Sequence, residues 1–274
     1  MKKILLLIAV AVIAYSFIPK KITWVAIGDS ITYLNDHTDE TGNRVTKGYM
    51  TDVVEKLPYV NYINQGHNGW TSGGIAQEID NLGLVKADIY SVFLGTNDWW
   101  QGRPVGDLTD YQNNTGNTTV YGSFRIIINK LRSLNKEAKI ILVTPMQRVD
   151  FVYINDIKNN AWGSYKDKNG QSLASFAAAV KAIAAYEHLD VIDLYDTKGM
   201  GLKDLVKFKK LKDPETWLYK NYIYPAFVDI PFNPETDEYP YPPEAMNVTY
   251  DGLHPSDKGF KMIADMFIKI IKKY

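Results

Sequence analysis

The chain has 274 residues, 46% of them hydrophobic and 23% charged, a globular composition with room for one large α/β domain or two small ones. Lys and Arg total 31 against 31 Asp and Glu, so there is no basic excess and no nucleic-acid partner is expected. Cysteine is absent, which excludes disulfides, thiol nucleophiles, thiolate metal sites and a lipidated cysteine.

Residues 1–20 read as a signal peptide or an N-terminal anchor. Met1-Lys2-Lys3 is a basic start, residues 4–18 are apolar apart from Tyr15 and Ser16, and Val12-Ile13-Ala14 precedes a cleavage point near Ala14–Tyr15. The stretch falls short of the about 20 apolar residues of a membrane span. Export to the periplasm or the medium is expected, with no membrane contact beyond that possible anchor.

Residues 21–274 then alternate two patterns. Short β-branched runs at 22–27, 60–64, 89–94, 140–144 and 191–194 are bounded by Gly, Pro, Asn or Asp and predict buried parallel strands. Helical segments are expected over 48–57, 73–82, 120–134, 172–188 and 256–273, the last with Phe260, Ile263, Phe267, Ile270 and Ile271 on one stripe. This alternation predicts a flavodoxin-like three-layer α/β/α sandwich around a five-stranded parallel sheet. Two stretches interrupt it. Residues 33–46 are polar and loop-like. Residues 199–250 form a Pro- and Tyr-rich insertion, expected to be an ordered loop that overhangs the site. Lys207, Lys209, Lys210 and Lys212 within it read as a solvated face.

Sheets of this kind bind ligands beyond the carboxyl ends of their strands. Ser30, Gly69 and Asn97 each follow such an end, so all three are expected on one edge. Near the C-terminus, Asp251-Gly252-Leu253-His254 precedes Pro255 and the last helix. A serine hydroxyl needs a base, and the base needs a group that fixes its tautomer. His254 suits the first role and Asp251, folded back through a turn at Gly252, the second. Attack on an ester carbonyl also creates an oxyanion. Its candidate donors are the Ser30 N–H, the Gly69 N–H and the Asn97 side-chain amide.

Four blocks, Gly28-Asp29-Ser30, Asn64 to Gly69, Gly95-Thr96-Asn97-Asp98 and Asp251-Gly252-Leu253-His254-Pro255, resemble the SGNH (GDSL-type) hydrolases in order and spacing, over roughly residues 22–271. The resemblance implies Ser30 as nucleophile, Gly69 and Asn97 as oxyanion donors, and His254 with Asp251 as the rest of the triad. No cofactor and no metal are expected; His37, between Asp36 and Asp39, lacks the spacing of a metal site. Trp99 and Trp100, with Tyr111 and Arg103 near them, suit stacking on sugar rings, and His67 is a further candidate for the pocket wall. The expected function is removal of short acyl groups, acetyl first, from saccharides or other polar O-acyl esters, so the partner is a small-molecule or glycan ester. Alternatives are a lipase, lysophospholipase or thioesterase on the same triad, or a glycan-binding module without catalysis.

Overall fold

A computed structural model describes residues 20–274. The proposed signal or anchor segment, up to residue 19, lies outside the described residues. Among those described, no helix is long and apolar enough to cross a membrane.

Strand β1 (Ile22–Gly28) explains the layering. Its side chains alternate, Trp24 and Ala26 into one core and Val25 and Ile27 into the other, and all four are fully buried. A strand apolar on both faces needs cover on both. One face is covered by α2 (Tyr49–Lys56) and, from the C-terminus, the helix Asp257–Ile271. Tyr49, Met50, Val53, Phe260, Ile263 and Phe267 meet Trp24 there. The indole N–H of Trp24 donates to Ser91 Oγ at 2.9 Å, so this aromatic centre buries no unmet donor. The opposite face is covered by α3 (Ser72–Gln77), α6 (Val120–Leu134) and α7 (Leu173–Glu187).

The remaining strands of the sheet are β2 (Val60–Gly66), β3 (Ile89–Phe93), β4 (Lys139–Val143) and β7 (Asp190–Ile192), in the order β2-β1-β3-β4-β7 and all parallel. This is the expected sandwich, with strand limits shifted by one or two residues. Short helical turns follow β1 and β3: α1 (Ser30–Tyr33) and α4 (Thr96–Trp100), with α5 (Leu108–Asn113) after them. The helix expected over 73–82 ends at Gln77. Gly73 and Gly74 weaken it at the start, and the Asn81 N–H bonds the Glu78 carbonyl in a turn that leads to Gly83 at φ +66°.

Two features depart from the expected plan. A hairpin of β5 (Phe151–Tyr153) and β6 (Asp156–Ala161) follows β4 where no strand is evident in the sequence. The insertion 199–250 is more regular than a loop. It holds α8 (Leu202–Leu205), the hairpin β8 (Lys209–Lys212) with β9 (Tyr219–Tyr222), and a 3-10 turn at Pro243–Ala245. Its Phe227 and Tyr241 are buried in the Trp24 core. The lysines at its start do not form a uniform solvated face. In β8, Lys209 and Leu211 point inward and Lys210 and Lys212 outward. Lys209 is only 1% exposed, and its ammonium pairs with Asp150 at 2.8 Å. The period-2 alternation of a strand, absent from a loop, forces this partition.

Candidate active site

The register pairs Gly28 with both Gly66 and Phe93, so the carboxyl ends of β2, β1 and β3 lie side by side. Three site residues follow from that edge. Ser30 opens α1, whose cap is Asp29; the Asp29 carboxylate accepts the Ile31 N–H at 3.0 Å. Gly69 lies in the turn after β2, anchored by the His67 N–H on the Gly28 carbonyl at 2.9 Å. Its φ of +74° is a conformation that glycine adopts without strain. Asn97 lies in α4, and its Nδ2 donates to the Trp70 carbonyl at 3.1 Å, which aligns the amide beside the same turn. Neither the Ser30 N–H nor the Gly69 N–H finds an acceptor among the described residues.

The segment before the last helix, α9 (Asp257–Ile271), supplies the rest. Thr249 bridges Pro255 and the Tyr250 N–H reaches the His254 carbonyl at 3.0 Å, so the chain folds into a tight loop. Asp251, completely buried, closes it. One carboxylate oxygen accepts the Leu253 and His254 N–H groups at 3.0 and 2.7 Å, and the other meets His254 Nδ1 at 2.7 Å. The imidazole is held between the Tyr250 ring, stacked at 5.9 Å, and the Phe151 ring, edge-on at 5.5 Å. Its free nitrogen, Nε2, lies 2.8 Å from Ser30 Oγ. Asp251, His254 and Ser30 thus form one hydrogen-bonded series that joins positions 224 apart in the chain. Ser30, Gly69, Asn97 and His254 line a common cavity of about 310 Å³.

A sequence model of the GDSL-like lipase/acylhydrolase family matches residues 26–262, nearly the whole of this fold. The chain belongs to that family. A possible lipase from Chitinophaga pinensis DSM 2588 is 68% identical, over 92% of this chain and 98% of its own, with a TM-score of 0.91. A protein from Lactobacillus plantarum shares the fold at 20% identity and a TM-score of 0.62, over 93% of this chain and 99% of its own. An acetyl xylan esterase shares it at 19% identity and a TM-score of 0.53, over 91% of this chain and all of its own. No curated protein matches.

As a member of that family this acylhydrolase is an enzyme of ester bonds, and its cavity wall differs from the one expected. Trp100 lines the cavity, but Trp99 does not. Trp99 is completely buried in the second core, and its indole N–H donates to the Gln171 carbonyl at 2.9 Å. Tyr111 is likewise buried, its hydroxyl on Glu187. His67 also stays off the cavity and stacks on Trp70 at 4.6 Å, where burial holds its ring below the usual histidine range. From the insertion only Tyr250 reaches the cavity; Tyr222, Tyr224, Tyr239 and Tyr241 pack against the Trp24 core, and Tyr219 lies beside Lys210 and Lys212 in its own hairpin. The wall they were expected to form comes instead from the β5–β6 hairpin, through Phe151, Tyr153, Asn159 and Ala161, with Asn68, Gln101 and Arg148. Gln101 sits one residue past α4 and holds the Gly69 carbonyl at 2.8 Å. The two residues after Trp99 therefore carried the signal, at the helical spacing that returns a side chain to the Asn97 face.

Two buried carboxylates support the edge. Asp98 accepts the Ser72 N–H and hydroxyl at 2.8 and 2.7 Å, tying α3 to α4, and burial nevertheless raises its carboxyl above the usual range. Burial pushes the Asp29 carboxyl up to about 6, outweighing the bond from the Ile31 N–H. A raised carboxyl means that the folded state keeps a proton that the unfolded chain, near 3.8, releases. Stability therefore falls as pH rises through the window from about 4 to 6, by roughly 3 kcal/mol. Asp29→Asn keeps an oxygen for the Ile31 N–H but loses the charge. It should raise the urea midpoint at pH 8 and lose that advantage towards pH 4. The same increment at both pH values would show that Asp29 ionises freely.

Proposed function

We propose that this hydrolase removes short acyl groups, acetyl first, from saccharides or other polar esters through an acyl-enzyme on Ser30. The observation that carries the reading is the series Asp251–His254–Ser30 opening onto a small cavity. With the imidazole proton on Nδ1 towards Asp251, Nε2 accepts the Ser30 hydroxyl proton as Oγ attacks the ester carbonyl carbon. The carbonyl oxygen becomes an oxyanion, for which the Ser30 and Gly69 N–H groups and the Asn97 amide are the donors. His254 then returns the proton to the departing alkoxide. In a second round it takes one from the water that attacks the acyl group, and Ser30 is released.

The substrate class rests on the lining. Around Ser30 the cavity offers Asn68, Gln101, Asn159, Trp100, Tyr153 and Tyr250, while its aliphatic part is limited to Leu34, Ala161 and Leu253. A long acyl chain needs a longer apolar channel, whereas a sugar ring suits amides and aromatic planes. Trp100 is held in this wall against Trp99 at 6.0 Å and edge-on to Trp162 at 4.9 Å, with Arg148 and Lys168 over its ring at 5.1 and 4.7 Å, so it meets a sugar as part of a polar, cation-bearing wall. The second reading, a lipase, has the support of the 68%-identical relative, which is called a possible lipase. Export remains part of the proposal, on the basic start and apolar stretch of residues 1–18.

A panel of acetylated oligosaccharides against esters of rising acyl length decides between the two. We expect kcat/KM to fall as the acyl group lengthens beyond about four carbons, the reach of a cavity this small. Trp100→Ala should raise KM about tenfold more for an acetylated oligosaccharide than for a minimal acetyl ester, a difference of roughly 1.4 kcal/mol. Rising kcat/KM with chain length and equal effects of Trp100→Ala on both substrates would favour the lipase.

A further inference from the structure

Arg148 stands apart from every other residue of the cavity wall. It is the one lysine or arginine among the cavity's lining residues, yet it is only 2% exposed. Its Nε and Nη2 are buried with no hydrogen-bond partner, which leaves Nη1 as the guanidinium nitrogen open to a ligand, and among the described residues no carboxylate lies within ion-pair distance of it, Asp150 being paired with Lys209 and Asp251 with His254. Burial lowers its pKa to about 10, so it is a full cation at neutral pH, and the charges of Asp251 and Asp150 offset that burial only from a distance. The aromatic faces of Trp100, Trp99 and Phe151, at 5.1, 5.5 and 6.0 Å, supply the rest of its surroundings. Such faces attract a cation but accept no hydrogen bond as strong as an oxyanion's. A buried cation with unmet donors is costly, and it persists where something else completes it.

Its position is built. The Arg148 N–H donates to Ser164 Oγ at 3.1 Å, and its carbonyl accepts from the Ser164 N–H and hydroxyl at 2.8 and 3.1 Å. The next residue, Val149, donates to the Gly252 carbonyl at 3.0 Å, inside the loop that carries Asp251 and His254. Phe151 touches both centres, 5.5 Å from the His254 ring and 6.0 Å from the guanidinium carbon. The guanidinium therefore stands one aromatic ring away from the imidazole. It is fixed before any substrate arrives, so binding to it sacrifices little side-chain freedom. The other charged residue of the wall, Glu40, is half-exposed and accepts the Tyr33 hydroxyl at 2.8 Å.

We propose that Arg148 is the specificity residue of the cavity and that the substrate is an ester bearing a carboxylate, received by the guanidinium while the ester carbonyl sits at Ser30. This rests on the hydrolase reading of Ser30 and narrows it: the polar ester is an acidic one. The carboxylate has two possible locations, the sugar, as in an acetylated uronic acid, or the acyl group, as in a hemisuccinate.

Two matched pairs read this directly on the wild-type protein. One compares an acetylated methyl glucuronoside with its carboxyl methyl ester. The other compares 4-nitrophenyl hemisuccinate with 4-nitrophenyl butyrate. In one pair kcat/KM should be at least about tenfold higher for the acid, the scale of one charge-assisted contact, and that pair locates the carboxylate. Arg148→Met should bring the ratio to within twofold of one, and Arg148→Lys should keep part of it, since the charge survives without the fork. The ratio is the readout, so a general loss of rate in either variant does not imitate the result. Binding of benzoate against benzamide, followed by tryptophan fluorescence, reports the same preference without turnover; benzoate should bind about tenfold tighter to the wild type. Ratios near one in both pairs together with equal binding of the two probes, or a preference that persists in Arg148→Met, would overturn the proposal. Failure to hydrolyse any of the four esters, with benzoate still preferred, would instead remove the short-acyl reading of Ser30 and leave the anion site standing.

Discussion

Ser30→Ala is expected to lower kcat/KM for a chromogenic acetyl ester by about four orders of magnitude, with an unchanged far-UV spectrum. The serine makes one side-chain bond, 2.8 Å to His254 Nε2, and α1 is capped by Asp29, so the fold loses little. On the proposed mechanism catalysis loses its nucleophile. What remains is the rate that oxyanion donors and binding give to an attacking water. His254→Ala should cost nearly as much, because the Ser30 hydroxyl then has no base within reach. The double variant should be only slightly worse than either single one, since the two side chains act as a unit. Multiplying losses in the double variant, or more than about a tenth of the activity left in Ser30→Ala, would require a nucleophile elsewhere in the cavity.

Asn97→Ala is expected to reduce kcat by two to three orders of magnitude, about 3–4 kcal/mol, with KM within about twofold of the wild type. The reason lies in when the contact forms. The Asn97 amide is oriented by the Trp70 carbonyl at 3.1 Å, which occupies one of its hydrogens and leaves the other for the oxyanion. A donor that meets charge only in the transition state changes kcat and spares KM. Asn97→Asp should be at least as damaging, because it puts a negative charge where one develops. A rise in KM at constant kcat would make Asn97 a binding residue and leave the oxyanion to the two backbone N–H groups.

The placement of Ser30, Gly69, Asn97, Asp251 and His254 is far more legible in this sequence than the shape of the cavity around them. Strands such as β1 and β4 are short, β-branched and buried on both faces, so local composition and final environment agree. The turns after them inherit their place from the sheet, and that is why Ser30, Gly69 and Asn97 can be located without coordinates. The β5–β6 hairpin gives no such signal. Phe151–Tyr153 is three residues long, and Asp156-Ile157-Lys158-Asn159-Asn160-Ala161 is mostly polar and solvent-facing, so no alternation marks it. Trp99 and Trp100 are neighbours in the sequence but about 100° apart around a helical turn, which sends one into the core and the other into the cavity. Arg148 and Lys209 are basic residues that no periodic pattern around them marks as buried. Their burial depends on neighbours tens of positions away, Trp99 and Trp100 for Arg148 and Asp150 for Lys209, which no local pattern displays.

The seam between that hairpin and the triad loop has a mechanical meaning. Val149 and Val152 donate to the Gly252 and Asp251 carbonyls at 3.0 and 3.2 Å. Gly252, at φ +91°, lets the Asp150 carbonyl come so close that any β-carbon there would stand 2.1 Å from it. The Lys209–Asp150 pair and the Tyr241 hydroxyl on the Asp150 carbonyl rivet the same strip from behind. Asp251 and the wall facing the substrate are thus one rigid casting. A displacement at the base of the hairpin would therefore pull on the loop that holds the Asp251 carboxylate against His254, so the foot of the cavity wall and the orientation of the imidazole share one support.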